Sequence, residues 1–210
     1  MPYDPTIYLG TAVHYVRGRP PYSAELEAFL TRELGLDGTG RLLDVGCGPG
    51  VLALPLAALF AEVVGLDPDP DILAEAARRA GELGVHNARW VQALGEDLPD
   101  LALGKFRVAT FGQSFHWMPR EEVAEYVYDL LEPGGAIVLL APTVEGRPVP
   151  EGPGYPPIPH DAIRALIERY LGSVHRAGAG FTKQLPDRYE DALARTRFGA
   201  PEILFARVSA

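Results

Sequence analysis

Four groups of polar residues, each set where a run of apolar residues ends, give this chain its chemical character. In Arg41-Leu-Leu-Asp-Val-Gly-Cys-Gly-Pro-Gly50 the apolar run Leu42, Leu43 and Val45 leads into a turn with Gly46, Gly48 and Gly50. Such glycines take positive φ and let a ligand approach the backbone with no Cβ in the way, which reads as a nucleotide-binding corner. Asp44 interrupts the apolar run, and its carboxylate is costly to bury unless turn amides or a ligand ammonium group satisfy it. The second group, Gly65-Leu-Asp67 followed by Pro68, ends in a carboxylate that can accept hydrogen bonds from both hydroxyls of a ribose. Asp67-Pro68 and Asp69-Pro70 equally suit a turn and a helix cap. In the third group, Gly95-Glu96-Asp97, one acid can meet an adenine amino group while the other caps a short helical turn, and the residue types do not say which. The fourth group is Gly112-Gln113-Ser114-Phe115-His116-Trp117. With an ordinary pKa of about 6.5, His116 suits proton removal near neutral pH, and Trp117 can wall a pocket. A His-Trp pair packed for structural reasons is the alternative.

These groups need elements to position them. A helix is expected after Ser23, with Leu26, Phe29, Leu30 and Leu34 on one face and Gly35 as its stop. Strands are expected over residues 41–45, 61–67, 88–93, 106–111 and 136–140, the last one following the Pro133-Gly-Gly135 turn. Helices are expected over 49–60, 71–83 and 119–131. Pro55 should kink the first of these or delay its start. Regular alternation of strand and helix predicts an α/β, mostly parallel sheet covered on both faces, with right-handed crossovers. Ligands of such sheets bind outside the carboxyl ends of the strands, where strand order reverses, and all four polar groups fall at such ends.

Beyond Ala141 the character changes. Residues 142–159 hold seven prolines, which excludes a helix or central strand and leaves a long binding loop or lid. A helix over 161–171 follows, its Ile163, Leu166, Ile167 and Tyr170 spaced as a packed face, and residues 201–208 can supply a last strand. The chain has no internal repeat.

Composition narrows the function. The 210 residues are 47% hydrophobic, enough for one globular domain with a single core. Nineteen basic against 28 acidic side chains give a net charge of −9, which repels a phosphate backbone, so no nucleic-acid partner is expected. Arg17-Gly-Arg19 and Arg195-Thr-Arg197 are too short to form a track. The single cysteine forbids an internal disulfide, and the sequence has neither a secretory leader nor an apolar run long enough for a membrane span. A cytoplasmic protein without a membrane partner is expected. Cys47 is a small residue fitting its turn, with no base in the sequence to activate it as a thiolate.

The motifs Leu42-Leu-Asp-Val-Gly-Cys-Gly-Pro-Gly50, Gly65-Leu-Asp67, Gly95-Glu-Asp-Leu-Pro99, Gln113-Ser-Phe-His-Trp117 and Leu131-Glu-Pro-Gly-Gly135 together resemble the class I S-adenosylmethionine-dependent methyltransferases. The resemblance runs to the methyltransferase type 11 group and its trans-aconitate-methyltransferase-like members, over about two thirds of the chain. It implies a Rossmann-like fold in one domain: a helical cap over 1–40, a cofactor-binding core over 41–141, and a loop and substrate-side region over 142–210. It further implies methyl transfer from S-adenosylmethionine to a small-molecule acceptor, leaving S-adenosylhomocysteine and requiring no metal. By that resemblance the turn at Gly46 and Gly48 holds the methionine portion of the cofactor, Asp44 faces its ammonium group, and Asp67 with Pro68 meets the ribose. Gly95, Glu96 and Asp97 border the adenine, and Gln113 and Ser114 complete the cofactor site. The segment Tyr15-Val-Arg-Gly-Arg-Pro-Pro-Tyr22 resembles an amino-terminal stretch that folds over the cofactor. It would bring Arg19 to the methionine carboxylate and Tyr15 or Tyr22 to the sulfonium. Tyr22, His116 and Trp117 would then face the substrate, with His116 as the catalytic candidate.

The sequence departs from that pattern in places. Leu94 stands where many relatives carry an acid, which leaves backbone amides and Glu96 for the adenine. Arg107 replaces an aspartate, altering a surface pairing. Relatives often continue past residues 198–202, so a seven-stranded sheet is not assured. Val51 occupies the place of a dinucleotide fingerprint's third glycine, which weighs against an NAD enzyme, and no Asn/Asp-Pro-Pro-aromatic tetrapeptide of base-flipping enzymes follows strand four. A cofactor-binding protein without turnover, or a partner subunit, is the rival from another class. Neither the acceptor nor the oligomeric state can be read from the residues.

Overall fold

A computed structural model describes Tyr22 and residues 24–140, 159–172, 174–177, 180–183 and 188–204. Tyr15, Arg19, the segment 141–158 and residues 205–210 lie outside the described residues. Five parallel strands form the main sheet: β1 (Arg41–Val45), β2 (Glu62–Asp67), β3 (Ala88–Gln92), β4 (Phe106–Gly112) and β5 (Leu131–Leu140). Their order is β3-β2-β1-β4-β5, so the chain reverses direction across the sheet between β1 and β4. Ligands of doubly wound sheets bind at such a switch point.

The helices alternate with the strands: α1 (Ala24–Leu34), α2 (Ala53–Leu56), α3 (Pro70–Leu83) and α4 (Arg120–Leu130). Strand pleating sends alternate residues to opposite faces. Leu42, Val63 and Val108 pack on one face with Leu30 of α1 and Leu56 of α2. On the other face Leu43, Val45, Leu66 and Phe111 pack with Val123 and Val127 of α4. Both faces are therefore covered, as the near-continuous apolar strands require. In α3, Asp69 caps the helix by accepting from the amides of Asp71 and Ile72, and Pro70 fills the first turn, where its missing N–H costs nothing.

Four expectations change. The helix foreseen over 49–60 is a single α turn, Ala53–Leu56, followed by a 3₁₀ turn, Ala57–Leu59. The glycine turn consumes residues up to 52, and Pro55 then falls where an amide has no intrahelical acceptor to lose. The fifth strand starts at Leu131 rather than Ala136. Pro133-Gly-Gly135 is an irregularity inside it, because the register runs Phe106 to Leu131 and then skips to Val108 with Ala136. Residues 201–204 have no regular structure, so no last strand begins there. Finally α5 (His160–Leu171) forms, but its apolar side chains are exposed, from 38% for Ile167 to 70% for Tyr170, instead of packed. Two elements had no sequence signal strong enough to foresee: an antiparallel hairpin, β6 (Val174–Ala177) with β7 (Gly180–Lys183), and the short helix α6 (Tyr189–Ala194). The latter contributes Ala192 and Leu193 to the core beside α4. Among the described residues no helix is long and apolar enough to cross a membrane.

Candidate active site

The strand ends converge on one cleft, lined by the ends of β1, β2 and β4 and by the turns that follow them. Its first wall is the glycine turn. The amides of Gly46 and Cys47 both donate to the Leu66 carbonyl, at 2.8 and 3.0 Å, so the turn is fastened to the end of β2. Gly46 has φ +69°, and a Cβ there would lie 2.4 Å from the Ser114 Cβ, leaving room for no other residue. Gly48 also has positive φ but faces open space, at the cleft lining. Beneath the turn lies Trp90 of β3, whose ring would meet a Cβ at Gly65 at 2.5 Å and one at Gly50 at 3.0 Å. Both glycines thus make room for an indole, a packing role that spacing alone does not reveal.

Asp67 lines the cleft beside Pro68. One carboxylate oxygen accepts from the Gly48 amide at 2.9 Å and the other from the Asp69 amide at 3.1 Å. It therefore does turn duty while its remaining lone pairs face the lining. Burial pushes its pKa above the ordinary carboxylate value, opposed by those two amides.

Asp44 is not on the lining but below it, 1% exposed, registered between Gly65 of β2 and Thr110 of β4. The Thr110 hydroxyl donates to Oδ1 at 2.8 Å, while Oδ2 is buried without a partner. Burial pushes this carboxyl up to about 7, against the hydrogen bond from Thr110 and the main-chain amide of Ala53 and with the added repulsion of Asp67. Among the described residues no basic side chain contributes to either acid. Thr110 was not foreseen; only the strand register places it opposite Asp44.

The residues expected to border the adenine sort themselves. Leu94, Gly95 and Glu96 line the cleft together with Ile72 and Met118. Asp97 does not line it: its carboxylate accepts from the Leu94 amide at 2.8 Å and caps the 3₁₀ turn Gly95–Asp100. Of the two acids, Glu96 faces the ligand space and Asp97 is the cap. Past β4 the backbone turns sharply at Gln113, a non-glycine residue with φ +59°, a conformation that costs about 1 kcal/mol or more and is concentrated at functional sites. Gln113, Ser114 and Trp117 line the cleft, and the Ser114 hydroxyl donates to the Val45 carbonyl, tying this loop to β1. The Tyr22 hydroxyl lies 3.0 Å from where a Gly112 Cβ would be, at the edge of the same space.

His116 is not on the lining. It sits in the 3₁₀ turn Phe115–Trp117 with its Nδ1 2.7 Å from the Tyr189 hydroxyl of α6 and its ring 4.7 Å from that of Trp117. Cys47 is buried with its thiol pKa raised by burial, the opposite of a reactive cysteine. Arg107 pairs at the surface with Asp37 at 2.6 Å and also donates to the Gly35 carbonyl at the end of α1. Among the described residues no group of three or more acids, histidines or cysteines could hold a metal.

The comparisons with known proteins agree with this geometry. A family described as a methyltransferase domain matches residues 42–135, the stretch from the first strand to the glycines of β5. This core belongs to the class I methyltransferase family. The chain is 30% identical over 172 residues to the trans-aconitate 2-methyltransferase of Mycobacterium tuberculosis strain H37Ra, covering 80% of this chain and 55% of that protein. Over 90 residues it is 37% identical to the ubiquinone biosynthesis O-methyltransferase of Azorhizobium caulinodans, covering 43% of this chain and 31% of that protein. The crystal structure of a methyltransferase from Geobacter sulfurreducens in complex with S-adenosylhomocysteine superposes with a TM-score of 0.52 at 26% identity, covering 66% of this chain and 56% of that one. The methyltransferase core thus matches, while the chain spans about half the length, or less, of these relatives.

Proposed function

We propose that this protein is an S-adenosylmethionine-dependent methyltransferase acting on a small molecule. The observation that carries the reading is the pair of acids at the switch-point cleft: Asp44 with an orphaned buried oxygen and Asp67 on the lining, neither with a basic partner among the described residues. Two carboxylates placed so ask for a ligand that brings both positive charge and hydroxyl donors, and an adenosyl group bearing an ammonium and a sulfonium has both. The residues present therefore fit the cofactor.

Bound there, S-adenosylmethionine would supply a methyl group already activated for in-line displacement by an acceptor nucleophile. The chain's own residues orient and desolvate. Asp67 would accept from the ribose, Asp44 would balance the ammonium, and the turn at Gly46 and Gly48 would hold the methionine portion. Leu94, Gly95, Glu96, Ile72 and Met118 would enclose the adenine, with Gln113 and Ser114 closing the far side. Tyr15 and Arg19 would complete the site from the amino-terminal segment. Tyr22, His116 and Trp117 would face the acceptor, His116 as the catalytic residue. We read the chain as one domain, with a cap over 1–40, a core over 41–141 and a substrate-side region over 142–210, in the cytoplasm. A small acceptor is supported by the names of the relatives and by the net charge of −9, which disfavours nucleic acid.

Calorimetry with S-adenosylmethionine and S-adenosylhomocysteine tests the cofactor. Folded protein that binds neither would end the reading. Methyl transfer to a panel of small acids, phenols and amines then separates an enzyme from a binding protein without turnover.

A further inference from the structure

The glycine turn is fastened unevenly. Its inner half is tied to β2, because the amides of Gly46 and Cys47 donate to the Leu66 carbonyl and the amide of Gly48 donates to Asp67. The outer arm, Pro49-Gly50, has no such amide: proline lacks one, and that of Gly50 donates within the turn to the Cys47 carbonyl. With positive φ at Gly46, Gly48 and Gly50, the arm has little stiffness of its own. A side chain of α3 ties it down: Nη1 of Arg79 donates to the Pro49 carbonyl, 30 residues away. Arg79 is partly buried, which works against its charge. The acids one turn away on its own helix, Glu75 and Glu82, pair with Arg78 instead. Arg79 contributes to neither Asp44 nor Asp67. Among the described residues, then, its partner is the turn and not a carboxylate.

We propose that Arg79 is a positioning residue for the amino-acid end of the cofactor: holding the Pro49 carbonyl, it fixes the outer arm of the turn on which that end lies. This rests on the methyltransferase reading above. Arg79 does not line the cleft, so it acts through the turn and not by contact. Its charge, which no ion pair neutralises, also favours an anionic group placed on the turn. The adenosine end, expected against Asp67, Leu94 and Met118, does not depend on it. Removing Arg79 therefore separates the two halves of the ligand, which loss of the fold or of the whole cleft would not do. The substitution also leaves the ion pairs of Arg78 with Glu75 and Glu82 in place.

The test is calorimetry on the full chain with two ligands: S-adenosylhomocysteine, and methylthioadenosine, which keeps the adenosine and lacks the amino acid. In Arg79→Met, which keeps an aliphatic stem without donor or charge, S-adenosylhomocysteine affinity should fall about tenfold while methylthioadenosine affinity stays within about twofold of the parent. Arg79→Lys keeps a charged donor, so its loss should be only about two- to threefold and again confined to S-adenosylhomocysteine; this variant carries the test should Arg79→Met not fold. Unchanged S-adenosylhomocysteine affinity in Arg79→Met overturns the proposal. Equal losses for the two ligands overturn it as well, since they would make Arg79 a prop of the whole site. Amide hydrogen exchange in the ligand-free protein gives a reading that needs no cofactor. Exchange at Gly50 should quicken about tenfold in Arg79→Met with that of Leu43 in β1 unmoved, and an unmoved Gly50 overturns the proposal. A parent protein that binds neither ligand would instead retire the methyltransferase reading, while the exchange rates would still report whether Arg79 holds the arm.

Discussion

Replacing Asp44 by Asn should make the ligand-free protein more stable and the ligand bind less well. The carboxyl rises from an ordinary 3.8 to about 7 because it is buried, and its Oδ2 has no hydrogen-bond partner among the described residues. Its folded pKa lies above its unfolded one, so the folded state holds the proton more tightly. That contribution is complete below pH 3.8 and gone once pH has risen through about 7. At roughly 1.4 kcal/mol per pH unit, the loss across this window is about 4 kcal/mol. Asparagine cannot ionise, and its oxygen can still take the Thr110 hydrogen bond, but its amide leaves a buried N–H₂ that costs about 1 to 3 kcal/mol. At pH 8 the net gain is about 1 to 3 kcal/mol, or roughly 2 to 12 °C in Tm for a chain of this size.

Binding should move the other way. An ammonium group arriving beside Asp44 requires the ionised acid, so below pH 7 a proton must leave as the ligand enters. S-adenosylhomocysteine affinity should then rise about tenfold per pH unit up to pH 7 and level off above it. In Asp44→Asn the pH dependence should flatten, and affinity at pH 8 should fall about 10- to 150-fold, the worth of a hydrogen bond to a charged group. Thermal unfolding from pH 4 to 8 and calorimetry at the same pH values check both halves. A variant that is less stable at pH 8, or that keeps the parent's stability slope and its affinity, refutes the reasoning. A residual slope is expected, since Asp67 is raised in the same direction.

Three further perturbations discriminate among the site's parts. Asp67→Ala removes the acceptor of the Gly48 amide as well as the ribose partner and should weaken S-adenosylhomocysteine binding by about 1 to 3 kcal/mol; unchanged affinity in calorimetry would leave Asp67 with the turn alone. Gly46→Ala should destabilise by about 2 to 4 kcal/mol, because its Cβ would meet Ser114 at 2.4 Å in a strained backbone. Gly48→Ala, facing open space, should cost about 1 kcal/mol of stability but obstruct binding, and denaturant titration beside calorimetry separates the two. His116→Ala should lower kcat by about a hundredfold or more while S-adenosylhomocysteine affinity stays close to the parent's. Equal losses in both would make His116 a packing residue.

What the sequence could convey depended on how local the signal was. The strands and the glycine corner rest on apolar runs and turn residues a few positions apart, and β1 forms at the expected residues. Long-range pairings left no such trace. Thr110 reaches Asp44 through sheet register, Trp90 reaches Gly65 from the neighbouring strand, and Tyr189 reaches His116 from a helix 73 residues away. The exposed face of α5 shows the converse limit. Helical spacing of Ile163, Leu166, Ile167 and Tyr170 specifies a shared side of a helix, not what covers it.

The two acids also explain why the site is built across the sheet rather than within one loop. A buried carboxylate is tolerable in β1 only because neighbouring strands supply what surrounds it. β4 gives the Thr110 hydroxyl, and β2 gives Gly65, whose missing side chain admits the indole of Trp90 beneath the turn. Yet that support stops at one oxygen. Had β4 or α2 carried a lysine or arginine toward Oδ2, the folded protein would be more stable and its carboxyl would stay ionised at all ordinary pH values. It would then have nothing left with which to attract a cation. On the proposed reading, the unsatisfied oxygen is stability withheld until a positively charged ligand binds. The same logic accounts for the fastening of Asp67 by two amides instead of a cation, since amides fix a carboxylate's direction without neutralising it.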